Sequence, residues 1–228
     1  MTNLVDQKYY EAIRPRSIGE RILVQARTRS YADFINACKP GPDASIIDIG
    51  VSDVVTDGAN ILEQLYPAPH RITAAGLGEG QAFRRAFPLV TYERISPGAA
   101  LPFADQSFEI ATANAVLEHV GGREQQERFI LELVRVARQV YVTVPNRFFP
   151  VEHHTAIPFL HYWNPSFKLA CGMLGKGHWA QQANLLLMTL GSLKQLAPEG
   201  RVVKTGFTGL PMGWFSSNLF LHIKRVEE

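Results

Sequence analysis

Residues that could bind a small ligand stand at the ends of predicted strands. Residues 46–50 (IIDIG) form a short apolar run that contains Asp48 and ends in Gly50, and residues 116–120 (VLEHV) follow a second apolar run. A glycine at such a turn lets the backbone approach a ligand closely, and loop amides before a helix can bind a carboxylate. In open α/β sheets, ligands bind beyond the carboxyl ends of the strands. The sequence therefore predicts a ligand site at these strand ends.

Histidines near residue 150 could supply acid–base chemistry. His153 and His154 follow the fifth predicted strand, and either could accept a proton from a hydroxyl or amine because histidine titrates near neutral pH. A hydrogen-bonded structural role is the alternative for both. His119 could also titrate in catalysis, with packing at the start of a helix as the alternative. His161 and His178 are also present, but their spacing matches no recognisable metal-ligand pattern. We therefore predict no metal site.

The elements that must position these residues alternate between strand and helix. Strands are predicted at residues 45–50, 71–77, 89–95, 108–113, 140–144, 201–207 and 218–224, and helices at residues 17–37, 57–66, 79–87, 123–138 and 191–196. This order is typical of a parallel sheet with helices on both faces, and the near-continuous apolar strands agree because such a sheet is buried on both sides. The last two strands predict an antiparallel pair at one sheet edge.

Length and composition limit the classes of protein to which the chain could belong. Its 228 residues suit one large domain, so we expect a single domain over 1–228, with an N-terminal helical lid at 1–38 and an aromatic-rich insertion at 146–190. Charged residues are 19% of the chain and the net charge is +2. This balance excludes a polybasic nucleic-acid binder and a highly charged disordered chain. We expect a small-molecule partner and no nucleic acid.

The cysteines and the apolar runs predict the compartment. Cys38 and Cys171 form no CxxC pair, which argues against a disulfide scaffold and against a cysteine-based zinc site. Residues 1–8 contain no apolar signal core, and the longest apolar run, near residue 185, is too short to span a bilayer. The sequence thus predicts a cytoplasmic protein without a membrane segment, and it says nothing about oligomeric state.

Three segments in order resemble a known family. Residues 46–50, residues 101–108 (LPFADQSF) and residues 116–120 are similar to class I S-adenosylmethionine-dependent methyltransferases of the type-11 subgroup. The resemblance covers roughly residues 40–145, and residues 144–150 (VPNRFFP) with the following His154 and Thr155 resemble a bacterial branch of the group. It implies a Rossmann-like α/β fold, with a mostly parallel seven-stranded sheet, an antiparallel edge strand and helices on both faces. It also implies S-adenosylmethionine as the cofactor.

The resemblance assigns cofactor contacts to the strand ends. The residues implied are Asp48, Gly50, Val51, Ser52, Gly76, Leu77, Gly78, Glu79, Pro97, Gly98, Asn114, Ala115 and His119. The chain departs from the usual pattern at three of these places. Gly50 is the only glycine left in the first loop, Glu79 is the nearest acid after the second strand, and Pro97 stands where an adenine-side acid is often found.

Four residues are predicted to act at the reacting centre, namely Tyr9, Tyr10, Asn146 and His154. A ring of Tyr9 or Tyr10 could contact the sulfonium through a cation–π interaction, with ordinary packing as the alternative. Asn146 follows the fifth strand, at the edge where ligands bind. The insertion's rings could line an acceptor pocket or form a small core of their own; they are Phe148, Phe149, Phe159, Tyr162 and Trp163.

Three functions remain open at this point. The first is transfer of a methyl group to a small-molecule acceptor, as in small-molecule biosynthesis. The second uses S-adenosylmethionine as the only substrate: its amino group attacks its own γ-carbon to give azetidine-2-carboxylate and methylthioadenosine. The third is a non-catalytic binding protein on a methyltransferase fold, because a fold alone does not confer an activity.

Overall fold

Seven strands of the described residues form one sheet in the order β3-β2-β1-β4-β5-β7-β6. The structure is a computed structural model that describes residues 18–53, 55, 59–152, 154–181, 184–213 and 215–225, with side chains from residue 23 onward. The strands are β1 (Ile46–Ile49), β2 (Ile72–Gly76), β3 (Thr91–Arg94), β4 (Phe108–Asn114), β5 (Ala137–Pro145), β6 (Val202–Met212) and β7 (Phe215–Lys224). Strand β7 runs antiparallel to both β5 and β6, and the other pairings are parallel.

Helices cover both faces of the sheet, as the sequence predicts. They are α1 (Ile18–Cys38), α2 (Ile61–Leu65), α3 (Gln81–Ala86), α4 (Arg123–Val136), α5 (Asn164–Met173) and α6 (Leu190–Lys194). One apolar core joins α1, α2 and α3 to the sheet through Phe34, Leu62 and Phe83. The other core joins α4 and α6 to the sheet through Leu133 and Leu193. The predicted fold class, Rossmann-like α/β with a mostly parallel sheet and an antiparallel pair at one edge, is confirmed.

Helix α4 shows how the sequence sets an element and its end. Its apolar residues recur at helical spacing, so Ile130, Leu133 and Val134 form one buried stripe. Its exposed face carries an ion pair between Arg123 and Glu127, one turn apart. The chain turns extended at Ala137 and enters β5 at once. The helix is therefore followed directly by β5, which lies inside the sheet between β4 and β7.

The last two strands are longer than the sequence predicts. The glycines and Pro211 between them indicate a loop, yet β6 continues to Met212 and β7 begins at Phe215. A shift in register between Thr208 and Pro211 absorbs the irregular residues. Strand β6 lies at the sheet edge, where a proline without an N–H is tolerated.

Residues 146–190 carry a third apolar cluster, built from Ile157, Phe167, Cys171 and Leu185. This segment contains helix α5 and 3₁₀ turns at Leu160–Tyr162 and Gly177–Ala180, which contact that helix. None of the described helices combines the length and the apolar composition that a bilayer crossing requires.

The α4 core contact predicts a clear asymmetry between two leucines of one helix. Leu133 is fully buried and Leu131 is 53% exposed. We expect Leu133→Ala to lower the free energy of unfolding by about 2–5 kcal/mol and Leu131→Ala to change it by less than about 0.5 kcal/mol. Chemical denaturation of both variants measures the difference, and equal losses would contradict the packing described here.

Candidate functional site

A cavity of about 940 Å³ opens at the carboxyl ends of β1, β4 and β5. Helix α1 forms one wall, through residues that include Arg27, Tyr31 and Phe34. The cavity extends from the loop after β1 to the turn after β4 and on to Trp179 of the 146–190 segment. This is the position at which open α/β sheets bind ligands.

The loop after β1 is shaped by one glycine and one asparagine. Gly50 has a φ of +88°, and a Cβ there would lie 2.4 Å from Val116 Cγ2, so a side chain at this position requires the Val116 side chain or the loop to move. The Asn60 side chain accepts from the Ser52 amide and donates to the Ser52 carbonyl, both at 2.8 Å. Asp48, Gly50, Val51 and Ser52, all predicted from the sequence, line the cavity.

The end of β2 contributes less than the sequence predicts. Leu77 lines the cavity, while Gly76, Gly78 and Glu79 are not among its lining residues. The Tyr92 hydroxyl donates to the Gly78 carbonyl at 2.9 Å and fills the space above Gly76.

The acid after β2 points away from the cavity. Glu79 is exposed and pairs with Arg94. Asp53 instead accepts from the amides of Gly80 and Phe83 at the start of α3. Among the described residues, no carboxylate after β2 therefore faces the place where a ribose acid is expected.

The ends of β3 and β4 supply the middle of the cavity. Pro97 and Gly98 lie on its wall after β3, and Asn114 and Ala115 lie on its wall after β4. Ala115 has a φ of +56°, a strained conformation for a residue with a side chain. The Thr143 hydroxyl donates to the Asn114 side-chain oxygen, which joins the end of β4 to β5.

The four residues predicted at the reacting centre separate in the structure. His154 lines the cavity. Asn146 is buried beside it but is not a lining residue: its side chain donates to the Ser216 carbonyl and accepts from the Phe148 amide. Tyr9 and Tyr10 lie outside the described residues, as does His153.

Two buried carboxyls sit beneath the loop after β1. Burial raises the pKa of Asp48 well above its ordinary value, and the neighbouring charge of Glu63 raises it further. Burial raises the pKa of Glu63 to about 7. The side chains of Asp48 and Glu63 interact directly, which raises the pKa of Asp48 and lowers that of Glu63. At neutral pH the pair therefore retains a proton.

His154 is held by a buried glutamate that the sequence analysis missed. Glu152 Oε1 lies 2.8 Å from His154 Nδ1, and the same carboxylate accepts from the amide and the hydroxyl of Thr155. Burial alone would raise the pKa of Glu152, but the hydrogen bond and charge of His154 outweigh it and lower the pKa to about 2. Burial lowers the pKa of His154, but the hydrogen bond to Glu152 and the charges of Glu152 and Glu118 outweigh it and raise the pKa. The sequence does contain a sign of this contact: Glu152 stands two residues before His154, and an acid at that spacing can fold back to bond the histidine.

Glu118 and His119 complete this end of the cavity. Burial raises the pKa of Glu118 to about 7. Burial and the charge of His154 lower the pKa of His119 to about 3, so His119 is neutral at physiological pH. The rings of His119 and His154 meet edge to face at 4.8 Å, and Trp179 packs against both.

Of the two alternatives for the insertion's rings, lining of the cavity is not what the structure shows. None of Phe148, Phe149, Phe159, Tyr162 and Trp163 is among the cavity-lining residues. Trp163 is 70% exposed. The 146–190 segment instead contributes His154, Trp179 and Asn184 to the cavity. Sequence periodicity gave no signal for Trp179, because a long-range contact places it there.

Comparisons with known proteins agree with this architecture. Residues 70–140 match the family described as methyltransferase domain. The chain resembles the class I S-adenosylmethionine-dependent methyltransferases of the type-11 subgroup. No curated protein matches the chain by sequence.

Solved structures with the same fold carry different names. A methyltransferase from Methanosarcina mazei has a TM-score of 0.57 at 16% identity, covering 86% of this chain and 99% of that one. Magnesium protoporphyrin IX methyltransferase from Synechocystis PCC 6803 has a TM-score of 0.56 at 14% identity, covering 96% and 91%. A protein from Rhodobacter sphaeroides named as a zinc-dependent alcohol dehydrogenase has a TM-score of 0.58 at 12% identity, covering 90% and 96%. These likenesses therefore establish the fold and not the reaction.

The Asp48–Glu63 pair predicts how stability depends on pH. Because the folded state raises the pKa of Glu63 from 4.5 to about 7, it holds the proton more tightly than the unfolded chain, and stability falls as pH rises through this range. We expect Glu63→Gln to lose less stability than the wild type between pH 5 and pH 8, by on the order of 1–3 kcal/mol.

The control for this measurement is Glu93→Gln, on the exposed edge of β3. It should follow the wild-type dependence in urea denaturation at each pH. A Glu63→Gln profile that also follows the wild type would show that Glu63 is not protonated in the folded state.

Proposed function

We propose that this chain binds S-adenosylmethionine and transfers its methyl group to a small-molecule acceptor, releasing S-adenosylhomocysteine. The observation that carries the proposal is the continuous cavity between the loop after β1 and the His119–His154 end. Ligand pockets span about 300–1,000 Å³, so about 940 Å³ is ample for a cofactor with a small acceptor beside it. A closed cage around the cofactor alone would need less space.

The residues around the first loop fit this cofactor. Gly50 lets the backbone of the loop approach a ligand. The side chain of Asn60 holds the loop in place through its hydrogen bonds to the amide and the carbonyl of Ser52. Asp48 places a carboxyl on the cavity wall, where it can accept from an amine or attract a cation. The mostly apolar residues 95–101 line the cavity, where an adenine ring could pack against them.

The opposite end of the cavity fits the acceptor. S-adenosylmethionine supplies a methyl group already activated by its sulfonium, so the protein mainly aligns the acceptor and excludes water. Asn114, Thr143 and Asn218 offer hydrogen-bonding groups, and Trp179 offers an aromatic wall. Helix α1 lines one side of the cavity, which supports a lid role for this helix.

The reaction is tested by product analysis. Purified protein is incubated with S-adenosylmethionine, with and without a library of small hydroxyl, amine and thiol acceptors. We expect S-adenosylhomocysteine only when an acceptor is present. Methylthioadenosine formed without an acceptor would instead establish the cyclase reaction, and no cofactor binding in calorimetry at millimolar ligand would leave a non-catalytic binding protein.

Gly50→Ala tests the cofactor site itself. The added Cβ would meet Val116, so the loop must move, and we expect S-adenosylmethionine to bind at least about 10-fold more weakly in calorimetry, a loss of about 1.4 kcal/mol. Gly200→Ala is the matched control: Gly200 also has a positive φ, of +71°, but no atom lies within 4 Å of its added Cβ. Equal affinities in the two variants would exclude this loop from the cofactor site.

A further inference from the structure

Three potential metal ligands converge at the acceptor end of the cavity. One donor atom each from Glu118, His119 and His154 can be chosen so that all three lie within 4.8 Å of one another. Glu118 Oε1 and His119 Nε2 are 3.8 Å apart. Ligand atoms around a tetrahedral ion with bonds of about 2.0–2.1 Å lie roughly 3.3 Å apart. Small side-chain rotations would therefore bring all three atoms into bonding distance of one ion.

Glu118 gives the independent sign that something is bound here. Its side chain is 1% exposed, and neither carboxyl oxygen has a hydrogen-bond partner in the part of the chain that the structure describes. A buried carboxyl without a partner is costly. Glu152, equally buried nearby, shows the contrast: its oxygens accept several hydrogen bonds. A cation between Glu118 and the histidines would satisfy the oxygens of Glu118.

The two histidines are already oriented as metal ligands usually are. His119 Nδ1 lies 2.7 Å from the Asn184 carbonyl oxygen; a carbonyl carries no proton, so Nδ1 must donate. His154 Nδ1 is bonded to Glu152 Oε1 in the same way. In a neutral ring whose Nδ1 donates in this way the lone pair is on Nε2, and a metal ion bound to His154 would displace the proton that the charged ring carries there. Metal-bound histidines almost always donate their second ring nitrogen to a carbonyl or carboxylate in this manner.

We propose that Glu118, His119 and His154 bind one divalent transition-metal ion. Two imidazoles and one carboxylate suit zinc and its first-row neighbours and not magnesium or calcium, which prefer oxygen ligands. Three protein ligands leave a coordination position open, and His119 and His154 both line the cavity. The open position is therefore available to an oxygen atom of the acceptor, a step that rests on the proposed function. His154 is then a metal ligand and not the general base that the sequence indicates.

The sequence could not predict this site from spacing. Glu118 and His119 come from the turn after β4, whereas His154 comes from the segment after β5. The parallel pairing of β4 with β5 brings the two turns together.

Metal binding by the full chain is the test, and it needs no cofactor or acceptor. Chelator-stripped protein is titrated with Zn²⁺ alone by calorimetry, and with Co²⁺ alone by visible absorption. We expect one ion per chain in the wild type. Because loss of a residue that only orients a ligand costs about 10–100-fold in affinity, we expect Glu118→Gln to bind at least about 100-fold more weakly.

Glu63→Gln is the matched control, because Glu63 is also a buried glutamate and, in the part of the chain that the structure describes, no group meets hydrogen-bond geometry at its oxygens. It should keep the wild-type affinity for Zn²⁺. If Glu118→Gln does not fold, as judged by thermal denaturation, His119→Asn replaces it with the same expected loss. No saturable binding of Zn²⁺ or Co²⁺ to the wild type, or unchanged binding in the ligand variants, overturns the proposal.

Glu152→Gln examines the orienting carboxylate separately. We expect it to weaken Zn²⁺ binding by about 10–100-fold while leaving one site per chain, whereas unchanged affinity would contradict the proposed role of His154. The two proposals fail independently. If the protein binds the metal but transfers no methyl group, the metal site stands and the proposed function fails. If the wild type binds no Zn²⁺ but still forms S-adenosylhomocysteine when an acceptor is present, the proposed function stands and the metal site fails.

Discussion

Parallel pairing of β1, β4 and β5 is the constraint on which the whole site depends. In the observed register, Asp48 lies opposite Thr112, and Asn114 lies opposite Thr143. Because parallel strands all end at the same edge, the turns that follow them must converge there. The glycine turn, the strained Ala115 and the two histidines come from separate stretches of sequence, yet one hydrogen-bonded ladder fixes their separations.

Burial at that edge makes the site electrostatically selective. Asp48, Glu63 and Glu118 are each almost completely enclosed, and burial raises the pKa of all three. A carboxyl in such surroundings either keeps its proton or pairs with a positive charge. A bound sulfonium near Asp48, or a metal ion at Glu118, would supply that charge. The same buried acids would disfavour an anionic ligand, which agrees with the absence of a basic stripe in the sequence.

Local sequence pattern predicted the sheet well because each strand is an apolar run bounded by turn residues. β1 ends within one residue of its prediction at each terminus, and α4 begins at the predicted Arg123. The β6–β7 connection was the exception, since Pro211 and the glycines indicate a loop locally while pairing with β7 retains the strand. Tertiary contacts outweigh local propensity at such a position.

The functional end of the cavity was harder to foresee, and the 146–190 segment shows why. Its low charge and many rings suggest a cover over the strand ends, but pattern alone cannot say which rings turn inward. The structure divides them: Trp179 packs on His119 and His154, while Trp163 and Met173 are 70% and 79% exposed. The 19% charged fraction therefore has two sources, a sheet buried on both faces and an apolar surface on α5 that faces outward. Only the first of these follows from the fold, because a parallel sheet must be covered on both sides, whereas nothing in strand pairing requires the second.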